Sequence, residues 1–169
     1  FGKPIMAELA IVIGYRPGAI GRLLDLQSAY HIPNHGFDAR YEAIVARGLS
    51  EFLLRYDASS DLLMLVDRNG EIEGGMVIDG NEPGSDFARL RWFILSDNLR
   101  GQGMGRKMMT EAMAFVDTQG HPGVYLTTVD GMDAARHLYE EFDFKLVKET
   151  LDSTWGAPVT EQRFEWVHS

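Results

Sequence analysis

The sequence predicts a mixed α/β domain, with elements running β-α-α-β-β-β-α-β-α-β-β, and three observations lead to it. Short β-rich runs bounded by Gly, Asn and Pro are interspersed with longer stretches whose apolar residues recur at helical spacing. Three strands follow one another as a meander in the first half, whereas strands and helices alternate in the second. A glycine-rich segment, Arg100 to Gly105, joins the two halves.

The first element, Glu8 to Ile13, reads as a short strand, and Arg16-Pro17-Gly18 ends it and opens a helix. Ile20, Leu23, Leu24 and Gln27 continue at helical spacing until His31-Ile32-Pro33-Asn34-His35-Gly36 interrupts them; Tyr41, Ile44, Val45, Phe52 and Leu53 resume it. Two helices joined by a bend are expected. Leu62 to Val66 and Ile72 to Ile78 flank Arg68-Asn69-Gly70, a hairpin signal, because Asn-Gly tolerates positive φ angles. Gly74-Gly75 within the second strand predicts a bulge or a close backbone approach.

Phe87 to Leu95 alternates, which puts Ala88, Leu90, Trp92 and Ile94 on one face and Arg89, Arg91 and Phe93 on the other. Met104, Met108, Ala112 and Phe115, widened by Met109, Met113 and Val116, form the stripe of a helix that Gly120-His121-Pro122-Gly123 ends. Val124 to Val129, Ala134 to Phe142, Phe144 to Glu149 and Gln162 to Val167 complete the order as strand, helix, strand and strand.

The 169 residues suit one domain, 1–169, with a real core. Net charge is −9 with the basic residues scattered, which argues against direct nucleic-acid binding. There is no cysteine, so disulfides, thiolate metal sites and a cysteine nucleophile are excluded; the lack fits a cytoplasmic location. No apolar run approaches the roughly 20 residues of a membrane-spanning helix, and Phe1-Gly2-Lys3-Pro4 lacks the apolar stretch of a signal peptide. A soluble protein without a membrane partner is the expectation.

A strand, close-set glycines and then a helix place free N–H groups at the positive end of a helix dipole, where an anion is stabilised. Arg100, Gly103 and Gly105 give the spacing R-x-x-G-x-G, with Gly101, Gln102 and Met104 between them and Arg106 and Lys107 just inside the helix. A plain strand-to-helix turn is the competing explanation. The nucleotide P-loop is excluded because the run closes Gly105-Arg106-Lys107 instead of Gly-Lys-Ser/Thr. A dinucleotide fingerprint belongs after the first strand of a parallel β-α-β unit, and this loop follows a meander.

With that spacing, the segment resembles the coenzyme-A motif Q/R-x-x-G-x-G/A of the GNAT superfamily of N-acetyltransferases. The likeness extends through the N-terminal helices, the meander and Ala134-Ala135-Arg136-His137-Leu138-Tyr139 leading to Phe144. It implies a mostly antiparallel sheet of about seven strands flanked by about four helices. Gly14 to Gly21 and the tail from Trp155-Gly156 to Arg163 further resemble the acetyltransferase half of bacterial proteins that join a MarR-type regulator to a GNAT domain. Fusion to or association with a regulator, and a homodimer, are the partners this implies.

The resemblance implies acetyl-CoA as cosubstrate without a metal, and acetyl transfer to a primary amine by direct attack. Arg100, Gly101, Gln102, Gly103, Met104, Gly105 and Arg106 would cradle the pyrophosphate, and backbone N–H groups near Ile94 and Leu95 would polarise the thioester carbonyl. Tyr139 would act as general acid, although its place on the stripe Leu138, Tyr139, Phe142 also suits a core aromatic. The alternative function is a non-catalytic acyl-CoA sensor for a regulator.

No single base stands out, since Arg89 and Arg91 replace the strand-four acid that some family members carry. Asp86, Glu82, His31, His35 and Glu165 are candidates around the acceptor, with a water chain as another route. Met132 replaces an Asn that often contacts the coenzyme, and Asp143 replaces a Gly, implying a different turn after the last helix. Pro33 between His31 and His35 argues against a metal site, because it should prevent the continuous turn that would present both. Trp155 is either a loop anchor or part of the acceptor wall.

Overall fold

The computed structural model describes residues 8–169; the reading of Phe1-Gly2-Lys3-Pro4 lies outside the described residues. Seven strands form one sheet: β1 (Leu9–Ile13), β2 (Leu62–Arg68), β3 (Glu71–Asp79), β4 (Ala88–Leu95), β5 (Gly123–Val129), β6 (Lys145–Asp152) and β7 (Val159–Val167). Their spatial order is β1-β2-β3-β4-β5-β7-β6. Every neighbouring pair is antiparallel except β4 and β5. Four helices flank it: α1 (Ala19–His35), α2 (Ala39–Leu54), α3 (Met104–Gln119) and α4 (Asp133–Glu141). The expected mixed, mostly antiparallel architecture and element order are therefore present.

Two apolar layers hold the sheet. Met108, Met109, Ala112 and Val116 of α3 are fully buried against β2 to β5 on one face. The two methionines and the valine each contribute about 1.5–3 kcal/mol through removal from water, and the alanine methyl less than about 1 kcal/mol. On the other face, Leu23 of α1 and Tyr41, Val45, Leu49 and Phe52 of α2 cover β2 and β3. The β2–β3 hairpin turns on Asn69 (φ 53) and Gly70 (φ 88), as its sequence predicts. Gly74 and Gly75 are required by close approach: a Cβ at Gly74 would stand 2.7 Å from the Ile94 carbonyl oxygen, and one at Gly75 would stand 2.6 Å from Leu23 of α1.

Two expectations are corrected. Helix α1 does not stop at His31 but runs through Pro33 to His35. Proline costs little here because it lies in the last turn, where Gly36 takes φ 69 and its N–H bonds the Ile32 carbonyl, and Asn34 Nδ2 donates to the Tyr30 carbonyl. His31 and His35 consequently stack, with ring centroids 5.3 Å apart. Among the described residues no group of three potential metal ligands forms.

The strict alternation along β4 also fails. Trp92 takes φ 51, and the pairing with β3 jumps from Val77–Arg91 to Gly75–Ile94, so an extra residue bulges out of the ladder. Ala88 and Leu90 pack toward α3, but beyond the bulge it is Phe93 and Leu95 that do so, while Trp92 and Ile94 join the α1–α2 side. A period-two pattern cannot reveal where one residue is inserted.

Candidate active site

β4 and β5 pair only at Ala88–Val124 and Arg89–Tyr125, after which the strands part. Two cavities open at the gap, and Phe93, Met132 and Tyr139 line both.

The larger, about 550 Å³, lies between the end of β4, the start of α3 and α4. Its floor is the glycine segment, in which Gly101 (φ 74) and Gly103 (φ 80) occupy the left-handed region that favours glycine. Gly103 caps α3 through its backbone, and no side chain bonds the first turn. The opening N–H groups of a helix have no partner within it, so this turn presents donors toward the cavity. Ile94, Leu95, Arg100, Gly101, Gly103, Met104, Gly105 and Arg106 all border this space. Gln102 is exposed and donates to the Asn98 carbonyl instead.

Both arginine head groups are already engaged. Arg100 donates to the Leu95 carbonyl at 3.1 Å, pairs with Asp97 at 2.9 Å and lies over the Tyr30 ring at 4.2 Å. Arg106 reaches across to Glu141 of α4 at 2.8 Å. The anion-binding capacity therefore resides in the backbone, with Lys107 as the adjacent exposed cation. A floor of glycines beneath an uncapped helix start suits a pyrophosphate, which needs close N–H donors and no intervening side chain.

The smaller cavity, about 180 Å³, lies on the opposite side of the gap. Phe37, Tyr41 and Trp155 form its aromatic wall, with Trp155 5.3 Å from Tyr41. Trp155 owes its place to a docked loop: its carbonyl accepts from Asp38 N, and Gly156 (φ 105) packs so tightly on Asp38 that a Cβ would sit 2.5 Å from the carboxylate. Asp38 in turn caps α2 by accepting from Arg40 N at 2.9 Å. Trp155 thus both anchors the loop and lines the cavity.

Tyr139 stands where the cavities meet, 6% exposed and ringed by Phe93, Phe144 and Phe164. Burial raises its pKa well above the ordinary value, so the hydroxyl holds its proton at neutral pH. Phe142 and Phe144 both donate to its carbonyl at 3.1 Å, which ties the end of α4 to β6. In that turn Asp143 takes φ 67, the conformation a glycine would adopt, so the replacement of Gly does not by itself impose a different turn.

The base candidates separate clearly. Asp86 is exposed, Glu82 is bound to Arg89 and Tyr125, and Glu165 is paired with Arg163 at 2.9 Å. His31 borders the smaller cavity; burial, reinforced by His35 and Arg100, pushes it down to about 4 and keeps it neutral. His35 is not among the cavity-lining residues.

Glu161 was not singled out from the sequence, yet it lines the cavity with its pKa raised by burial and then by Asp152. The signal was the alternation of β7: Gln162 and Phe164 are buried on one face, which turns Glu161 and Arg163 to the other.

A helix start walled by glycines, set against a second cavity where two parallel strands part, defines a domain with room for an anionic group on one side of the gap and a second molecule on the other. The chain belongs to the acetyltransferase (GNAT) family, whose pattern matches residues 22–144, and whose members draw on acetyl-CoA as acetyl donor. Its fold is similar to an acetyltransferase of the GNAT family from Staphylococcus aureus Mu50, with TM-score 0.72, 18% identity and 94% and 99% of the two chains covered. It is equally similar to an acetyltransferase from Streptococcus agalactiae 2603, with TM-score 0.71, 17% identity and 95% and 98% covered. The ribosomal-protein α-N-acetyltransferase RimL in complex with coenzyme A gives TM-score 0.69 at 12% identity, with 97% and 96% covered. No curated protein matches the sequence. Among the described residues no helix is long and apolar enough to cross a membrane.

Proposed function

We propose that the protein is an N-acetyltransferase that moves the acetyl group of acetyl-CoA to a primary amine by direct attack. The observation that carries this reading is the meeting of two unlike cavities at one buried tyrosine. Acetyl-CoA supplies the acetyl group as a thioester. The backbone of Arg100 to Arg106 holds its pyrophosphate, and the unpaired edge of β4 around Ile94 and Leu95 receives the arm that carries the thioester.

Tyr139 is the general acid. Its Oη gives a proton to the sulfur as the amine nitrogen bonds to the acetyl carbon and the carbon–sulfur bond breaks. Glu161 is the base on the acceptor side, and its raised pKa makes it a better proton acceptor than an ordinary glutamate. An ammonium acceptor loses two protons in all: one restores Tyr139 and the other leaves to solvent. His31, neutral, orients the nitrogen without repelling it.

A coenzyme-A thiol-release assay over a panel of primary amines tests the reading. Acetyl-CoA-dependent release with at least one amine, and an N-acetylated product by mass spectrometry, is the expected result. Tight acetyl-CoA binding without turnover of any amine would leave a sensor module instead.

A further inference from the structure

The smaller cavity holds a cation that the proposed chemistry does not use. Arg91 enters it from β4 with only 21% of its side chain exposed, yet among the described residues it donates no hydrogen bond. Its nearest carboxylate, Asp79, is 3.8 Å away, and both oxygens of that group are already taken by Arg55. Trp92 stacks on it at 4.0 Å, which orients the guanidinium plane without supplying an acceptor. Burial, together with repulsion from Arg89, pushes Arg91 down to about 10, as expected of a charge short of a counter-ion.

Its neighbours do not share this condition. Arg89 is paired with Glu82 at 2.8 Å, and Arg163 with Glu165 at 2.9 Å. A second unfulfilled group borders the same space: Gln27 is 3% exposed, its Oε1 accepts from Tyr41, and its Nε2 has no partner. A half-buried guanidinium that makes no hydrogen bond, and a buried amide N–H group without an acceptor, beside an aromatic wall call for a ligand that brings an anion with it.

We propose that the acceptor is an amino acid: a small primary amine with its own carboxylate, held by Arg91 and Gln27, and an apolar or aromatic side chain set against Phe37, Tyr41 and Trp155. This rests on the N-acetyltransferase reading and specifies the acceptor for that site. The cavity of about 180 Å³ suits a molecule of that size better than a long polyamine, and the Arg91 guanidinium opposes a purely cationic amine. The products are an N-acetyl amino acid, the coenzyme thiol and one proton, by the same bond exchange at nitrogen and sulfur.

Thiol release is measured for wild-type protein with phenylalanine and leucine, with their carboxamides, and with phenethylamine and isoamylamine, which lack the carboxylate. The free amino acids should exceed both sets by about 100-fold in kcat/KM, the effect of one buried charge-assisted pair. In Arg91→Gln that preference should collapse toward one, mainly through KM for the amino acid, and Arg91→Lys should restore part of it. Titration with acetyl-CoA reports whether each variant is folded, and the wild-type comparison decides the matter if one is not.

Equal or better turnover of the amines or carboxamides overturns the amino-acid assignment and leaves acetyl transfer standing. Equal preference in wild type and Arg91→Gln overturns the role of Arg91. A protein that neither binds acetyl-CoA nor releases thiol with any acceptor overturns the underlying function as well.

Discussion

The two cavities that meet at Tyr139 are built from different materials. The floor of the larger is main chain, with three glycines within five residues, a helix start that no side chain caps, and flanking arginines whose head groups are tied to Leu95, Asp97 and Glu141. The smaller is lined by residues from α1, the α1–α2 junction, α2, β4, β5, α4, the β6–β7 connection and β7. Main-chain donors recognise any suitably spaced anion, so one short segment suffices for a carrier common to many acceptors. Side chains converging from distant segments select one acceptor and can change independently. In the proposed reaction, general and particular recognition would therefore lie on opposite sides of one tyrosine.

The sharpest way to break this division is at the shared residue. Tyr139→Phe keeps the ring among Phe93, Phe144 and Phe164 and removes only the hydroxyl, so kcat should fall by about 100-fold or more with the melting temperature little changed. Full turnover in that variant would end the acid role.

On the acceptor side, Glu161→Gln should lower kcat/KM by roughly 100-fold at neutral pH. The sign of the pH effect follows from the base being active when ionised. The wild-type rate should therefore fall as pH drops through a value above the ordinary 4.5 of glutamate, and the variant should lose that limb. An unchanged acid limb in the pH–rate profile would assign the proton to another group.

On the carrier side, Gly103→Val forces a branched side chain to φ 80 and into the floor of the cavity. Acetyl-CoA affinity should weaken by about tenfold or more, because the side chain would stand between the pyrophosphate and the N–H donors it needs. The KM for the acceptor should move far less, and calorimetric titration against acceptor kinetics separates the two. Equal weakening for both ligands would show that the cavities are not independent.

The smallest effect is expected at Asp143, which touches neither cavity. Asp143→Gly relieves a left-handed residue at φ 67 and should stabilise the fold by no more than about 1 kcal/mol, read as a rise of a few degrees in thermal midpoint.

The same division governs what could be read in advance. The order of elements, the Asn69-Gly70 hairpin, the close approach at Gly74-Gly75 and the glycine turn from Arg100 to Gly105 that opens α3 were legible, because turn chemistry and helical periodicity act over a few neighbouring residues. Pro33 misled because proline opposes a helix interior strongly but its last turn only weakly, and nothing local shows where the helix closes. The reversal at Trp92 was hidden because a bulge depends on the partner strand, here on the glycines that let β3 press against Ile94. Glu161 and Arg91 were two charges among many: 16 basic and 25 acidic residues are present.

The sequence by itself determined the layered sheet and the glycine turn at the start of α3, since propensity, capping and glycine geometry are properties of short segments. Only the tertiary structure decided that Tyr139 stands between two cavities, that Glu161 lines the smaller one and that Arg91, beside it, has no closer counter-ion than Asp79 at 3.8 Å. Which charges find counter-ions, and which are buried without one, depends on distances between segments far apart in the chain.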